Sequence, residues 1–457
     1  MSLISLMTYI AAVAVGLTGL NYFIFKNIKN LGVTYVQNFA GALFVFSGWV
    51  KAIDPLGTAY KMEQYFAEFE STFSGTWFDF LAPLFPEMAE YAIAFSVFTI
   101  IFEIILGILL LIGGRIKFTV WAFFSMMLFF TFLTGFTYLT GYVPESTNFF
   151  RFSEWGPYVS TNMKVTDCGC FGDFIKLEPK VSFLKDIFLM IPALIFIYYQ
   201  EKMHQYFDDK KRNMIAIVAL PLLLLYCMSN YVWDIPHLDF RPFKVGTDIK
   251  TKKAEEQAAM EAVQVIAYDL ENQQTGQKIT LPFDQFMADY AKYPSDEWSY
   301  YQIKSEPSIP ITKISDFDLS SLDGYSVTDE ILDNLGYALM VVAYKLKEEK
   351  KGNEEYNWKM DYLNKWTENL KPFVDEGNRE GINVFAVTSF SAEDRINNFK
   401  NSTEFNYPFY LGDDILLKTI VRSNPGVVLL KDGVVMQKWH ISKLPSFEEV
   451  KNKYLLQ

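Results

Sequence analysis

The sequence predicts an α-helical polytopic membrane bundle of about six spans, followed by an α/β domain outside the membrane. Three observations predict it. Long hydrophobic stretches dominate residues up to about 234. From about 238 onward, acids and bases are scattered as in a water-exposed domain. The short loops between the apolar stretches carry Lys and Arg in strict alternation, which is how a polytopic chain records its orientation.

Six stretches are long enough to cross a hydrocarbon core ~30 Å thick, which takes ~20 helical residues. They run at about 4–25, 33–52, 88–113, 116–141, 182–200 and 213–234. Lys26 and Lys29 follow the first; Arg115 and Lys117 separate the third and fourth; Lys202, Lys210, Lys211 and Arg212 separate the fifth and sixth. These three basic loops should face the cytoplasm. The loops at about 53–87 and 142–181 carry more acids than bases and should face outward, with both termini. The first stretch lacks a basic leader and a small-residue cleavage site, so it reads as an anchor. A net charge of −12 argues against nucleic-acid binding, which needs clustered cations to neutralise phosphates.

The thiols stand out next. The chain has three cysteines, and two of them, Cys168 and Cys170, are separated only by Gly169. The predicted topology puts both on the outer face, where disulfides persist. Bridging needs Cα atoms ~4.4–6.8 Å apart, near the limit of an extended i,i+2 pair, so the chain must turn there. Gly169 permits that turn. Three readings remain open at this point: a strained pair that cycles, a static bridge pinning the loop, or two thiols that stay reduced or hold a metal. Metal is the weakest, because the chain has only His204, His237 and His440, and His204 falls on the cytoplasmic side. Cys227 lies ~22 Å along the sixth span, taking 1.5 Å per residue, and is either a packing residue or a resolving thiol.

Glu103 sits within the third span, where a bare carboxylate is costly. It is either a proton-transfer group or a helix-packing acceptor for Thr131, Thr134 or Thr137 on the next span. Lys51 and Asp54, at the outer end of the second span, line a mouth near the cysteines, or form an interfacial salt bridge, or are explained by a snorkelling lysine. The aromatic run over 60–85 reads as an amphipathic helix lying in the outer interface.

After the sixth span, residues 235–328 read as a connector with β-rich elements: a charged stretch around 250–256, a hairpin over 263–282 and a strand at 298–304. From 329 to 457 strands and helices alternate. The expected strands are Tyr337–Leu346, Ile382–Phe390, Tyr407–Leu411 and a hairpin over Gly426–His440 turning at Lys431-Asp432-Gly433. Helices are expected over 357–376, after a cap at Ser391, and over 445–456.

Residues 329–457, with Ser423-Asn424-Pro425-Gly426 before the last hairpin, resemble a thioredoxin-like domain. That resemblance implies a cis proline at Pro425. The domain departs from its family where Cys-x-x-Cys should follow the first strand: Lys345-Leu346-Lys347-Glu348-Glu349 stands there, with no cysteine in the domain. The exchange nucleophile is therefore absent. The second to fifth spans resemble the DoxX/MauE family of redox-associated membrane proteins. That likeness rests on Phe46-Ser47-Gly48-Trp49-Val50-Lys51-Ala52-Ile53-Asp54-Pro55, on Glu103 with Gly107, and on Asp167-Cys168-Gly169-Cys170-Phe171-Gly172. The combination is similar to a type found in Bacteroidota. It implies a four-helix membrane core, a bacterial inner-membrane location with a periplasmic C-terminal domain, and thiol or quinone-linked redox in some members.

The expectation is thus an inner-membrane thiol–disulfide protein acting through Cys168 and Cys170, with a quinone as candidate electron acceptor. Glu103, Lys51, Asp54 and Cys227 would support the pair. The C-terminal domain would dock a periplasmic or membrane partner. The alternative is a non-enzymatic scaffold or assembly factor whose disulfide is structural.

Overall fold

The computed structural model describes residues 2–145, 147–163, 165, 169–349, 356–389 and 391–456, with the side chain of Ser160 set aside. Two units divide the chain, Met1–Phe240 and Arg241–Gln457. Cys168 lies outside the described residues.

The first unit is helical: α1 Leu3–Leu20, α2 Leu31–Ile53, α3 Pro55–Phe73, α4 Leu84–Glu90, α5 Ala92–Ile112, α6 Ile116–Thr140, α7 Pro179–Tyr199 and α8 Asp209–Ser229. Among the described residues five helices, at Leu3–Phe25, Ala92–Ile112, Ile116–Thr140, Pro179–Lys202 and Asp209–Ser229, are long and apolar enough to cross a membrane. A sixth span is reached if α2 and α3, which meet at 93°, count as one. The bend has a local cause. Pro55 supplies no N–H and forces the residue before it out of helical geometry. Asp54 accordingly takes φ −130° and ψ 76°, and its carboxylate caps α3 by accepting from the Gly57 N–H at 3.0 Å.

Small residues let α2 and α5 approach closely. A Cβ added at Gly107 would fall 2.7 Å from the Val45 nitrogen and 2.9 Å from the Gly41 oxygen. One added at Gly48 would meet Ile104 Cγ1 at 2.5 Å.

The three basic loops come together at one end of the bundle. Asn27 donates to the Gln205 oxygen at 3.0 Å, Lys29 to the Glu201 oxygen at 3.2 Å, and Arg115 to Asn213 at 2.8 Å. Buried Gln37 closes this end. It donates to Leu110 O at 2.8 Å and His204 O at 3.2 Å, and accepts from His204 N at 3.0 Å. Gly113, at φ +65°, is required here, because a Cβ would lie 2.1 Å from the His204 oxygen.

The aromatic run divides. Tyr65 and Phe69 of α3 are buried against Phe136 and Val165, whereas Trp77 and Phe80 are exposed. The helical part of the aromatic run is α3, which ends at Phe73 and packs Tyr65 and Phe69 into the unit, so the expected helix over 60–85 is shorter than its aromatic stretch. Helical spacing puts Tyr65 and Phe69 on one face, which composition alone does not reveal.

The described residues of the second unit form two sheets. β1 Val265–Asn272, β2 Lys278–Pro282 and β3 Trp298–Lys304 form an antiparallel sheet in the order β2-β1-β3. β4 Leu319–Ser320, β5 Tyr337–Ala343, β6 Asn383–Thr388, β7 Phe409–Gly412, β8 Gly426–Lys431 and β9 Val434–His440 form a mixed sheet in the order β4-β7-β6-β5-β8-β9. Strands β5, β6 and β7 run parallel; β8 runs antiparallel to β5 and forms a hairpin with β9, which among the strands pairs with β8 alone. Asp432 and Gly433, both at positive φ, make its turn. The central strand β5 is buried from Ala338 to Ala343 and packs through Leu339 and Val341 into a core with Trp366, Phe373 and Phe399. The Asn424–Pro425 peptide is cis.

Two expectations are corrected in this unit. The charged stretch at 250–256 is not a connector but part of helix α9, Ile249–Glu261, capped by Asp248, which accepts from the Thr251 N–H at 2.9 Å. Its buried positions are Ile249, Glu256 and Ala259; Glu256 is satisfied by Thr312 N at 3.0 Å and Ser315 N at 3.1 Å. A buried carboxylate with several donors does not register as core in a hydropathy reading. Ser391 is likewise not the cap of the next helix, Glu393–Thr403; Ala392 holds that position and makes no side-chain cap.

Candidate functional site in the helical unit

A cavity opens among α2, α3, α5, α6, α7 and the loop before α7. Leu43, Phe44, Met127, Phe130, Leu133 and Leu189 supply an apolar wall. Ser47, Lys51, Glu103, Thr134, Lys185 and Asp186 supply a polar one, and Gly169-Cys170 borders both.

Two buried ion pairs organise the polar wall. Lys51 Nζ donates to Glu103 Oε2 at 2.6 Å, with side-chain exposures of 6% and 2%. The ammonium also lies 5.1 Å from the Phe130 ring centroid. Ions so deep require partners, because each alone loses its hydration without return. The expected packing bond from Glu103 to a threonine of the next helix is corrected: the close α2–α5 contact makes Lys51 the partner. Lys51 is also not a snorkelling residue, since it ends inside the unit rather than at its surface. In the second pair Lys185 bonds Asp186, its chain neighbour, and Thr134 Oγ1 donates to Asp186 Oδ2 at 3.0 Å. Thr134, expected to serve Glu103, thus serves Asp186.

Cys170 is a free, half-buried thiol at the cavity wall. Ser47 Oγ donates to its carbonyl at 3.0 Å, tying the cysteine loop to α2. Gly169 has φ +60°, and Gly172 has φ +52° and donates to the Gly169 oxygen at 3.1 Å, so the loop turns sharply at the cysteine. Burial pushes the Cys170 thiol above its ordinary range; Lys185 and then Lys51 pull it back, while Asp186 and Glu103 push it up.

The remaining expected residues lie elsewhere. Asp54 caps α3 and is not among the cavity-lining residues. Cys227 is fully buried with Ala52, Val97, Ile100 and Ile104, in a separate cluster. Pro425 belongs to the second unit. Lys185 and Asp186 went unrecognised in the sequence, although a charged pair within a span at 182–200 is the signal that marks buried function in a membrane helix. Among the described residues no group of His, Cys, Asp and Glu is arranged to hold a metal.

Comparison with protein-family models, curated proteins and solved structures returns no match to this chain.

Proposed function

We propose that this chain is a bacterial inner-membrane thiol–disulfide protein in which the Cys168/Cys170 pair works beside a charged cavity in a helical bundle. The observation that carries the reading is Cys170 at the wall of the cavity lined by Lys51–Glu103 and Lys185–Asp186. Closing the pair releases two electrons and two protons from two thiols. Glu103 and Asp186 are the carboxylates at hand for protons, and Lys185 and Lys51 favour a thiolate at Cys170.

A quinone fits this cavity in chemistry. The apolar wall suits an isoprenoid body, and the Lys51 and Lys185 ammoniums are donors for ring oxygens. When bound, it would supply a sink for two electrons and two protons. The DoxX/MauE resemblance supports the same reading. The gathering of all three basic loops at one end supports an orientation with that end cytoplasmic and the cysteine loop periplasmic. The C-terminal unit, with its mixed sheet, is read as a periplasmic thioredoxin-like domain that docks a partner protein and carries no exchange chemistry of its own.

The test is thiol trapping of the reduced full chain in nanodiscs with and without a short-chain quinone. Quinone-dependent closure of the pair, slowed at least tenfold in E103Q, supports the reading. Closure at the same rate without quinone, or in E103Q, contradicts it. One observation favours a second reading, a scaffold with a static bridge: residues 241–457 contain no cysteine.

A further inference from the structure

The second unit has a cleft that the proposed redox chemistry does not use. It lies beyond the carboxyl ends of the parallel strands β5 and β6, bordered by Tyr344 and Lys345 after β5 and by Thr388, the last residue of β6, with Ser389 and Ser391 after it. Arg395 and Lys418 complete it with Asp414. Crevices at the carboxyl ends of parallel strands are where open α/β sheets bind ligands, since loops diverge there and leave backbone and side-chain donors facing space.

The cleft is cationic in a chain whose net charge is −12. Three cations and one acid line it. Lys418 is held by Asp414 at 2.8 Å, and Arg395 by Glu348 at 2.7 Å. Lys345 is exposed and has no ion pair among the described residues. Positive charge continues outward from it. Lys347, half-buried over the Tyr362 ring at 5.9 Å, is depressed below the usual lysine range by burial first and by Lys365, Lys359 and Lys345 after it, against the opposing pull of Asp361. With Arg395 and Lys418 each paired to a carboxylate, Lys345 is, among the described residues, the cleft cation left to attract an anion.

A second, independent feature is the Ser391 hydroxyl. Its Oγ is buried with no hydrogen-bond partner among the described residues, on the lining of the same cleft. A buried hydroxyl without a hydrogen bond is costly, so Ser391 calls for a partner.

We infer that this cleft is a phosphate site, in which Lys345 and Lys418 supply charge, Arg395 supplies a planar fork and Ser391 supplies a neutral donor to a tetrahedral anion. Guanidinium, ammonium and hydroxyl donors around a small cleft match the several acceptor oxygens of a phosphate group. A free phosphate compound and a phospholipid headgroup share that chemistry.

The test uses the full chain in a phosphate-free maltoside detergent, titrated calorimetrically with inorganic phosphate and with glycerol 3-phosphate. Saturable binding is expected for at least one, weakened tenfold or more in K345Q and in S391A. Both substitutions leave the Arg395–Glu348 and Lys418–Asp414 pairs in place, and an unchanged thermal midpoint verifies that they fold. Displacement of the bound probe by short-chain phosphatidic acid at lower concentration than either probe requires assigns the site to a headgroup; binding that it does not displace assigns it to a free phosphate compound. No saturable binding of either probe, or binding unchanged in both variants, overturns the inference. Neither result depends on the cysteine pair.

Discussion

Lys51 on α2 and Glu103 on α5 meet at 2.6 Å inside the helical unit, although 52 residues separate them in the chain. Neither residue alone is tolerable at that depth. Gly41, Gly48 and Gly107 draw the two helices close enough for the pair to form beside the cavity that Cys170 borders.

Breaking that pair should be costly. K51M or E103L leaves one buried charge without its counterpart, an effect of ~3–5 kcal/mol. The double variant K51M/E103L should recover most of the loss, because no charge is left behind. Thermal midpoints of the detergent-solubilised protein, followed by size-exclusion chromatography, give the comparison.

Gly107→Leu should separate α2 from α5. Its side chain would enter where a Cβ already stands 2.7 Å from Val45 N. A loss of ~1–3 kcal/mol is expected from overpacking, with weakened protection of the Lys51–Glu103 region in hydrogen exchange. Gly107→Ala should show the same direction and a smaller size.

The reactivity of Cys170 should follow its surroundings. Burial raises the thiol's pKa, so at a given pH near neutrality less thiolate is present than for a solvent-exposed cysteine. In a C168S/C227A background, the alkylation rate should keep climbing with pH beyond the point where free cysteine levels off. Lys185→Met removes the largest opposing influence and should move that profile higher still. A profile that matches free cysteine would show Cys170 to be solvated.

Cys227 should be dispensable. Its thiol packs with Ala52, Val97, Ile100 and Ile104, so Cys227→Ala should leave trapping of the other two thiols unchanged. The stability loss should be small, about 1 kcal/mol for a lost sulfur contact in a tight cluster. A changed trapping pattern would assign it a resolving role.

Much of the fold was legible because its signals are local. Apolar length revealed the helices able to cross a membrane, and Lys431-Asp432-Gly433 revealed the last hairpin. The bend at Asp54 is also written in the chain, as an acid followed by proline. What escaped is non-local. Hydropathy cannot show that Glu103 faces Lys51 rather than Thr134, because that depends on which helices the glycines bring together. Asp186 was passed over because one acid hardly alters the average of a long apolar window. Glu256 was lost for the opposite reason: in a highly charged segment a buried carboxylate looks like its solvated neighbours.

The most direct measurement is the reduction potential of the Cys168/Cys170 pair, by thiol trapping of the full chain in membranes across a glutathione series. A midpoint above roughly −230 mV, among exchange-active proteins, is the predicted result. A midpoint below roughly −300 mV, where structural disulfides lie, would contradict redox cycling and leave the scaffold reading in its place.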